Sequence, residues 1–412
     1  MRLKLLLIFF TGILNLQLFG QAPSASPDRQ RPNRQLPDSL PSGPTTEEVV
    51  VSATLREAGK DQSPIAVEAY SAAFLRRAPS PSLFEALALV PGLRPQLTCN
   101  LCAAAEIQMN GLPGPYTAVL IDGMPIVSGL GTVYGLMGIP VGIIERVEVV
   151  RGPAGTLYGS EALGGVVNVV TLRPHRAPRF FAEAVGTGYG ELTAELATQV
   201  ALRPRLRQLV ALSAHNYTLP TDRNGDGMMD LALMRRASAF TKLAAQRPAG
   251  REASLAGRYL FEERWGGQMA WRPEHRGGEE IYGESIFTRR AELIGKYDLP
   301  TAARIQLSGS YVWHSQDAAY GATPYVARQH IAFAQAAWHH EWRPGWRQLA
   351  GAALRYTLYD DNTPATAAPE RIWLPGVFIE QNVDLRGGHS LLAGARLELT
   401  RAHGMVASPR LA

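Results

Sequence analysis

Residues Ile144–Thr171 read IERVEVVRGPAGTLYGSEALGGVVNVVT. Two β-branched runs flank a segment dense in glycine and other small residues, which predicts two strands joined by a tightly turned connection. Glycine-rich turns of this look often cradle phosphates. A P-loop, however, needs Gly-x4-Gly-Lys-Ser/Thr so that its lysine reaches the phosphates. This stretch contains no lysine, and its glycines are not spaced as in a dinucleotide fingerprint. They are expected to let the chain turn and pack closely, not to hold a ligand.

Working outward, residues from about 61 to 173 alternate helix and strand signals. SPSLFEALALVPGL starts a helix at Ser80 or Ser82, with Leu83, Leu87 and Val90 at helical spacing and Pro91-Gly92 ending it. YTAVLIDGMPI is a strand running into a tight Asp122-Gly123 turn. A small α+β domain follows. Glu145 and Glu148 sit in a predicted strand with no visible cleft partner, so no carboxylate catalysis is argued. GxSxG, HExxH and a kinase-like set are all missing from the sequence.

From about residue 178 the character changes, and all 7 tryptophans lie beyond that point. In ARIQLSGSYVWH, Ile305, Leu307, Tyr311 and Trp313 share one face, and Gln306, Ser308, Ser310 and His314 the other. LAGAALRYTLYD and LLAGARLELT alternate in the same way. Period-two alternation in a long series is the signature of a transmembrane β-barrel. About eleven strands are expected between residues 179 and 402. Short turns at RPR, RPAG, LPTA, RPGW and RGG alternate with long polar loops near 218–235, 262–283, 316–327 and 361–372. Short turns at one end and long loops at the other suit an outer-membrane barrel. Eleven strands would leave bare edges in lipid, and the chain stops at VASPRLA, so a truncated sequence is expected.

The N-terminal end fixes the compartment. MRLK, then LLLIFFTGILNLQLF, then GQA make residues 1–22 a signal peptide, too short and polar for a good membrane-spanning helix. Residues 23–46 are a Pro-rich linker. The β-prone run EEVVVSAT (Glu47–Thr54) begins where the linker ends. It is either a strand for pairing with another protein's sheet edge or simply the first strand of the next domain. A net charge of +5 without a Lys/Arg block argues against nucleic-acid binding. The only two cysteines, Cys99 and Cys102, form one CNLC, for which a local disulfide is expected ahead of a redox or metal role.

Taken together, EEVVVSAT, LVPGL (Leu89–Leu93), AVLIDGMPI (Ala118–Ile126) and the Ile144–Thr171 stretch resemble the TonB-dependent outer-membrane transporters. The likeness is strong over about 47–173 and rests on pattern alone in the barrel portion. It implies an α+β plug domain (55–173) inside a transmembrane antiparallel β-barrel of 22 strands, of which 174–412 would supply the first half. It further implies that Glu47, Glu48, Val49, Val50, Val51, Ser52, Ala53 and Thr54 form a TonB box captured by TonB through strand addition. The inner membrane's proton-motive force would then drive uptake of a scarce nutrient, a ferric siderophore or other metal chelate, haem or cobalamin. No bond in the substrate is broken, so no enzyme activity is expected, and no cofactor is required.

The chain departs from the family pattern where many members carry an Arg-Gly pair, having Asn110-Gly111 instead. Only Arg151 of VVRGP then carries over as a plug–barrel contact. The CNLC pair falls just before this segment, and the short linker leaves no room for an extra signalling domain. Separately, DRNGDGMMD resembles the front of a calcium loop, with Asp222, Asn224, Asp226 and Asp230 at positions 1, 3, 5 and 9. Position 12 is Leu233, so the closing carboxylate of an EF-hand is missing and only a weak extracellular calcium site is expected. His339 and His340 point to opposite faces of a strand and cannot readily share an ion. A passive outer-membrane channel or a non-functional truncated receptor are the alternatives.

Overall fold

Val-rich runs dictate the small domain's centre. The structure is a computed structural model and describes residues 49–412 except 53, 56–57, 60–62, 64, 79, 81, 100–103, 128–129, 131–137, 386 and 388. The expected signal peptide (1–22), the linker (23–46), Glu47, Glu48, Ala53 and Cys102 lie outside the described residues.

A short pair, β1 (Val49–Val50) and β2 (Ala58–Gly59), comes first. Then follow β3 (Val67–Ser71), α1 (Ala72–Leu75), α2 (Leu83–Ala86), β4 (Leu93–Cys99), β5 (Ala104–Met109), β6 (Thr117–Ile121) and β7 (Met124–Val127). β8 (Ile144–Arg151), α3 (Gly155–Tyr158) and β9 (Gly165–Thr171) complete the domain. Ser82 caps α2, its hydroxyl accepting from the Glu85 amide at 3.3 Å, as the sequence suggests. β3-β8-β9-β6-β7 form one mixed sheet, with β9 antiparallel to β8 and parallel to β6. Every residue of β6 and β9 is buried, which suits their continuous apolar runs. The glycines of the Ile144–Thr171 stretch serve that packing. Gly165 has φ +140°, and a Cβ there would run into the Val150 carbonyl and the Met109 sulfur.

Twelve antiparallel strands follow in strict sequence order, each bonded to the next. They are β10 (Phe180–Gly186), β11 (Leu192–Arg203), β12 (Leu206–Tyr217), β13 (Leu233–Ala245), β14 (Ala253–Gly267) and β15 (Gly283–Asp298). After these come β16 (Arg304–Tyr320), β17 (Thr323–Arg343), β18 (Trp346–Asp361), β19 (Glu370–Asp384), β20 (Ser390–Thr400) and β21 (Gly404–Leu411). Two expectations are corrected. VASPRLA belongs to a twelfth strand, β21, paired to β20 from Leu411↔Ala393 to Gly404↔Thr400. The long loop expected at 316–327 is instead a two-residue turn at Gly321–Ala322, because the alternation runs on through small and polar residues on both sides.

The burial pattern is inverted relative to a water-soluble protein. On β14 and β15, Arg258, Glu262, Arg264, Thr288, Arg290 and Glu292 are buried, while Leu255, Tyr259 and Leu293 are exposed. The buried charges are paired: Arg258 with Glu292 at 2.6 Å and Arg264 with Glu262 at 2.6 Å. An ion taken out of water without a partner costs several kcal/mol, so such pairing is required of an enclosed polar face. Apolar outside and polar inside is the chemistry of a lipid-facing barrel wall. Trp338, His340 and Trp342 line one face of β17, the first two stacked at 5.1 Å between ring centroids and the last two edge to face at 4.5 Å, an arrangement suited to a membrane interface.

Candidate functional site

The run EEVVVSAT carries apolar side chains that must be buried and a backbone that must be hydrogen-bonded. Its described part satisfies both within the small domain. Val50 is wholly buried, packed with Val67, Leu120, Val150 and Val166. Beyond it the strand ends on one carboxylate. Glu148, at the middle of β8, accepts from the Val51 amide at 3.0 and 3.1 Å and from the Ser52 amide at 2.8 Å. It also accepts from the Ser52 hydroxyl at 2.5 Å. The Arg146 guanidinium, 2.8 Å away, balances its charge. Tyr158 closes the site from α3, its hydroxyl donating to the Ser52 carbonyl at 2.9 Å. Burial, with the Glu148 carboxylate nearby, pushes the Tyr158 phenol well up, so it stays protonated and able to donate.

Asn168 is the cross-strand neighbour of Glu148 on β9. Its Nδ2 donates to the Ser52 hydroxyl at 3.1 Å, and its Oδ1 accepts from the Gly123 amide at 2.8 Å. Neither Glu148 nor Asn168 was expected to matter. The signal was present in both runs: a polar residue in the middle of VEVVR and of VVNVV must find partners once the strand is buried.

Asp122 and Gly123 form the turn between β6 and β7, with φ of 49° and 78°, the left-handed geometry that Asp-Gly favours in a two-residue hairpin. Asp122 accepts from the Thr171 amide at 2.9 Å and hydroxyl at 2.7 Å, and from Lys242 Nζ on β13 at 2.9 Å. Burial pushes its carboxyl up, but Lys242, Lys296 and the Thr171 bonds outweigh this and hold it below the usual carboxylate range. This buried pair ties the small domain to the wall. Further along, Arg355 of β18 binds Glu161 through two bonds of 2.8 and 2.9 Å. Glu195 of β11 accepts from the Val141 and Gly142 amides at 3.0 and 2.7 Å.

Arg151 does something other than expected. Its hydrogen bonds go to Glu68 at 2.7 Å through two nitrogens, to the Pro91 carbonyl at 2.5 Å and to Asn110 at 3.4 Å, all within the small domain. It braces that domain. To do so its guanidinium passes over Gly92, where φ is +74° and a Cβ would strike it, which explains the glycine of LVPGL. Contacts between the small domain and the wall include Asp122 with Lys242, Glu161 with Arg355, and the Val141 and Gly142 amides with Glu195.

The loop expected to hold calcium is organised by its own backbone. Asp222 accepts from the Gly225 and Gly227 amides at 2.7 and 2.9 Å, Asp226 from the Met228 amide at 2.8 Å, and Asp230 from the Arg223 amide at 3.0 Å. Asn224 bonds to Asp226. These bonds form local Asx-type turns. Among the described residues no three His, Cys, Asp or Glu side chains gather as a metal site. Cys99 ends β4, and its intended partner Cys102 lies outside the described residues.

A cavity of about 650 Å³ opens beneath the domain, lined by Val51, Asp122, Asn168, Thr171, Lys242 and Lys296 among others. Its rim includes Arg247 and Gly250 of the short β13–β14 turn. Val51 therefore lies toward the end of the wall that carries the short turns.

A family model described as the TonB-dependent Receptor Plug Domain matches residues 59–166. The small domain is the plug of a TonB-dependent receptor. Curated relatives of this plug include "Vitamin B12 transporter BtuB" of Vibrio vulnificus, 42% identical over 90 residues, or 22% of this chain and 15% of the relative. "Ferric enterobactin receptor PirA" of Pseudomonas aeruginosa is 36% identical over 114 residues, 24% of this chain and 15% of that one. Solved structures extend the likeness to plug and barrel together. The siderophore receptor PirA from Pseudomonas aeruginosa matches with TM-score 0.63 at 20% identity, over 84% of this chain and 58% of that one. The ferric yersiniabactin uptake receptor FyuA from Yersinia pestis matches with TM-score 0.61 at 17% identity, over 88% and 63%. The chain thus spans about 58% of the length of the PirA structure, and the structural matches speak for the fold, a plug domain with a twelve-stranded antiparallel barrel sheet.

Proposed function

We propose that this protein takes up a scarce nutrient across the outer membrane of a Gram-negative cell, with energy delivered by TonB to residues 47–54. The observation that carries the reading is the clamping of Val51 and Ser52 on Glu148, at the short-turn end of the wall. A segment whose amides close on a buried carboxylate is suited to two states: docked on the plug, or withdrawn and paired with a partner's sheet edge. The apolar outer face and polar inner face of β10–β21 suit outer-membrane lipid around the barrel. Relatives named for vitamin B12 and ferric enterobactin support a metal chelate as cargo, a ferric siderophore first and a cobalamin second. The named relatives are transporters and receptors, and transport of an intact chelate needs no covalent chemistry.

The test is disulfide cross-linking in cells between Val49→Cys and cysteines placed along the sheet edge of TonB. A register-specific set of cross-links that disappears when Val49→Cys is combined with Val51→Pro supports the reading. No cross-link at any register contradicts it.

A further inference from the structure

The box and the wall anchor are joined by a single side chain. Ser52 bonds to Asn168, Asn168 bonds to the Gly123 amide, and the neighbouring Asp122 is held by Lys242 of the wall. Each contact is buried, and Asn168 itself is wholly inaccessible. Ser52 Oγ and Gly123 N are taken by the two ends of one planar amide, so moving either end turns the other. Val51, Asp122, Asn168 and Lys242 also border the same cavity of about 650 Å³.

We propose that Asn168 is the coupling residue that links the state of the box strand to the seating of the Asp122–Gly123 turn on Lys242. Withdrawal of Ser52 takes away the shorter bond of Asn168 Nδ2 and leaves it only the longer one to Glu148, at 3.5 Å, so the amide turns toward Glu148 and its bond to the Gly123 amide weakens. The turn then loses its inner support, and the Asp122–Lys242 contact opens the plug's edge onto the cavity. The coupling is reciprocal: unseating the turn loosens the box. Its purpose rests on the energised-uptake reading, but its test does not.

The experiment measures thiol-labelling rates of Val51→Cys in the purified full protein, corrected for the same protein without the added cysteine. Asp122→Asn and, independently, Lys242→Met are each expected to raise the rate by about fivefold or more, the scale of an ordinary coupling energy. In an Asn168→Leu background the rate is expected to be high already and no longer to respond to either change. Arg355→Ala, which breaks a wall contact outside this chain of bonds, is expected to leave the rate unchanged. The proposal is overturned if neither turn variant alters labelling, if the response survives in Asn168→Leu, or if Arg355→Ala has the same effect, which would mean general loosening. Cross-linking of the box to TonB is read separately, so the coupling and the uptake reading can fail independently.

Discussion

The carboxylate of Glu148 receives the amides of both Val51 and Ser52, with the closest contact 2.8 Å, so one buried side chain satisfies both backbone donors there. Removing it leaves two buried backbone donors unpaired. Each such orphan costs about 1–3 kcal/mol. Glu148→Ala is therefore expected to favour the withdrawn strand, raising protease or thiol-reagent access at position 51 by tenfold or more on that scale. Limited proteolysis of the purified protein checks this. Unchanged access would mean that Glu148 is not the clamp.

The Asp122–Lys242 pair behaves differently because both partners are buried. Lys242→Met strands a carboxylate in the interior and is expected to destabilise plug seating by about 3–5 kcal/mol. The pH dependence has a definite sign. Asp122's folded pKa lies below its unfolded value of about 3.9. Its contribution is thus complete above about pH 4 and is lost as pH falls through the depressed folded value. Urea unfolding of the unsubstituted protein should show no loss from this pair between about pH 5 and 8 and a loss only in more acidic buffer.

Arg355 and Glu161 are partly open to solvent, with side chains 20% and 39% exposed. Screening keeps such a pair to about 1 kcal/mol or less. A double-mutant cycle with Arg355→Ala and Glu161→Ala should return a coupling of that size, well under the value for Lys242 and Asp122. A larger coupling at Arg355 would reverse the ranking of the two anchors.

Arg151 and Gly92 make a matched prediction inside the plug. Arg151→Ala loses the two-bond pairing to Glu68 and the bond to the Pro91 carbonyl. Gly92→Ala must adopt a left-handed backbone and displaces the same guanidinium. Each is expected to cost about 1–3 kcal/mol of plug stability. Combined, they should cost clearly less than the sum, since both act on one contact. Additivity in thermal unfolding would contradict the shared cause.

Much of this was legible in the residues. The inverted alternation of ARIQLSGSYVWH places the wall, and the Ile144–Thr171 stretch yields a strand, a turned segment and a second strand. Boundaries failed where polarity misled. QDAAYGATPYV reads as a loop because its inward residues are polar or small, yet inside a barrel such residues are what a strand presents. The pairing of Arg151 with Glu68 is not legible, because sequence gives a residue's chemistry but not its partner, and Glu68 is 83 positions away. The acidic run at Asp222 shows the same limit: Asx turns and calcium loops use the same residue types. Glu148 and Asn168 were readable as buried polar residues in apolar strands, but their shared partner Ser52 is evident only when the strands are placed.

Uptake on the proposed reading depends on a partner that draws on residues 47–54. Val50→Pro tests it most directly, since proline removes a strand donor and cannot join a partner's ladder. Uptake and surface binding of radiolabelled ferric enterobactin, and of cobalamin in a parallel arm, would be measured in cells with and without the substitution. The account predicts that at least one ligand binds equally to both cell types while its energy-dependent uptake is lost in Val50→Pro. Uptake by Val50→Pro at the unsubstituted rate, or binding and uptake of neither ligand by the unsubstituted protein, would contradict it.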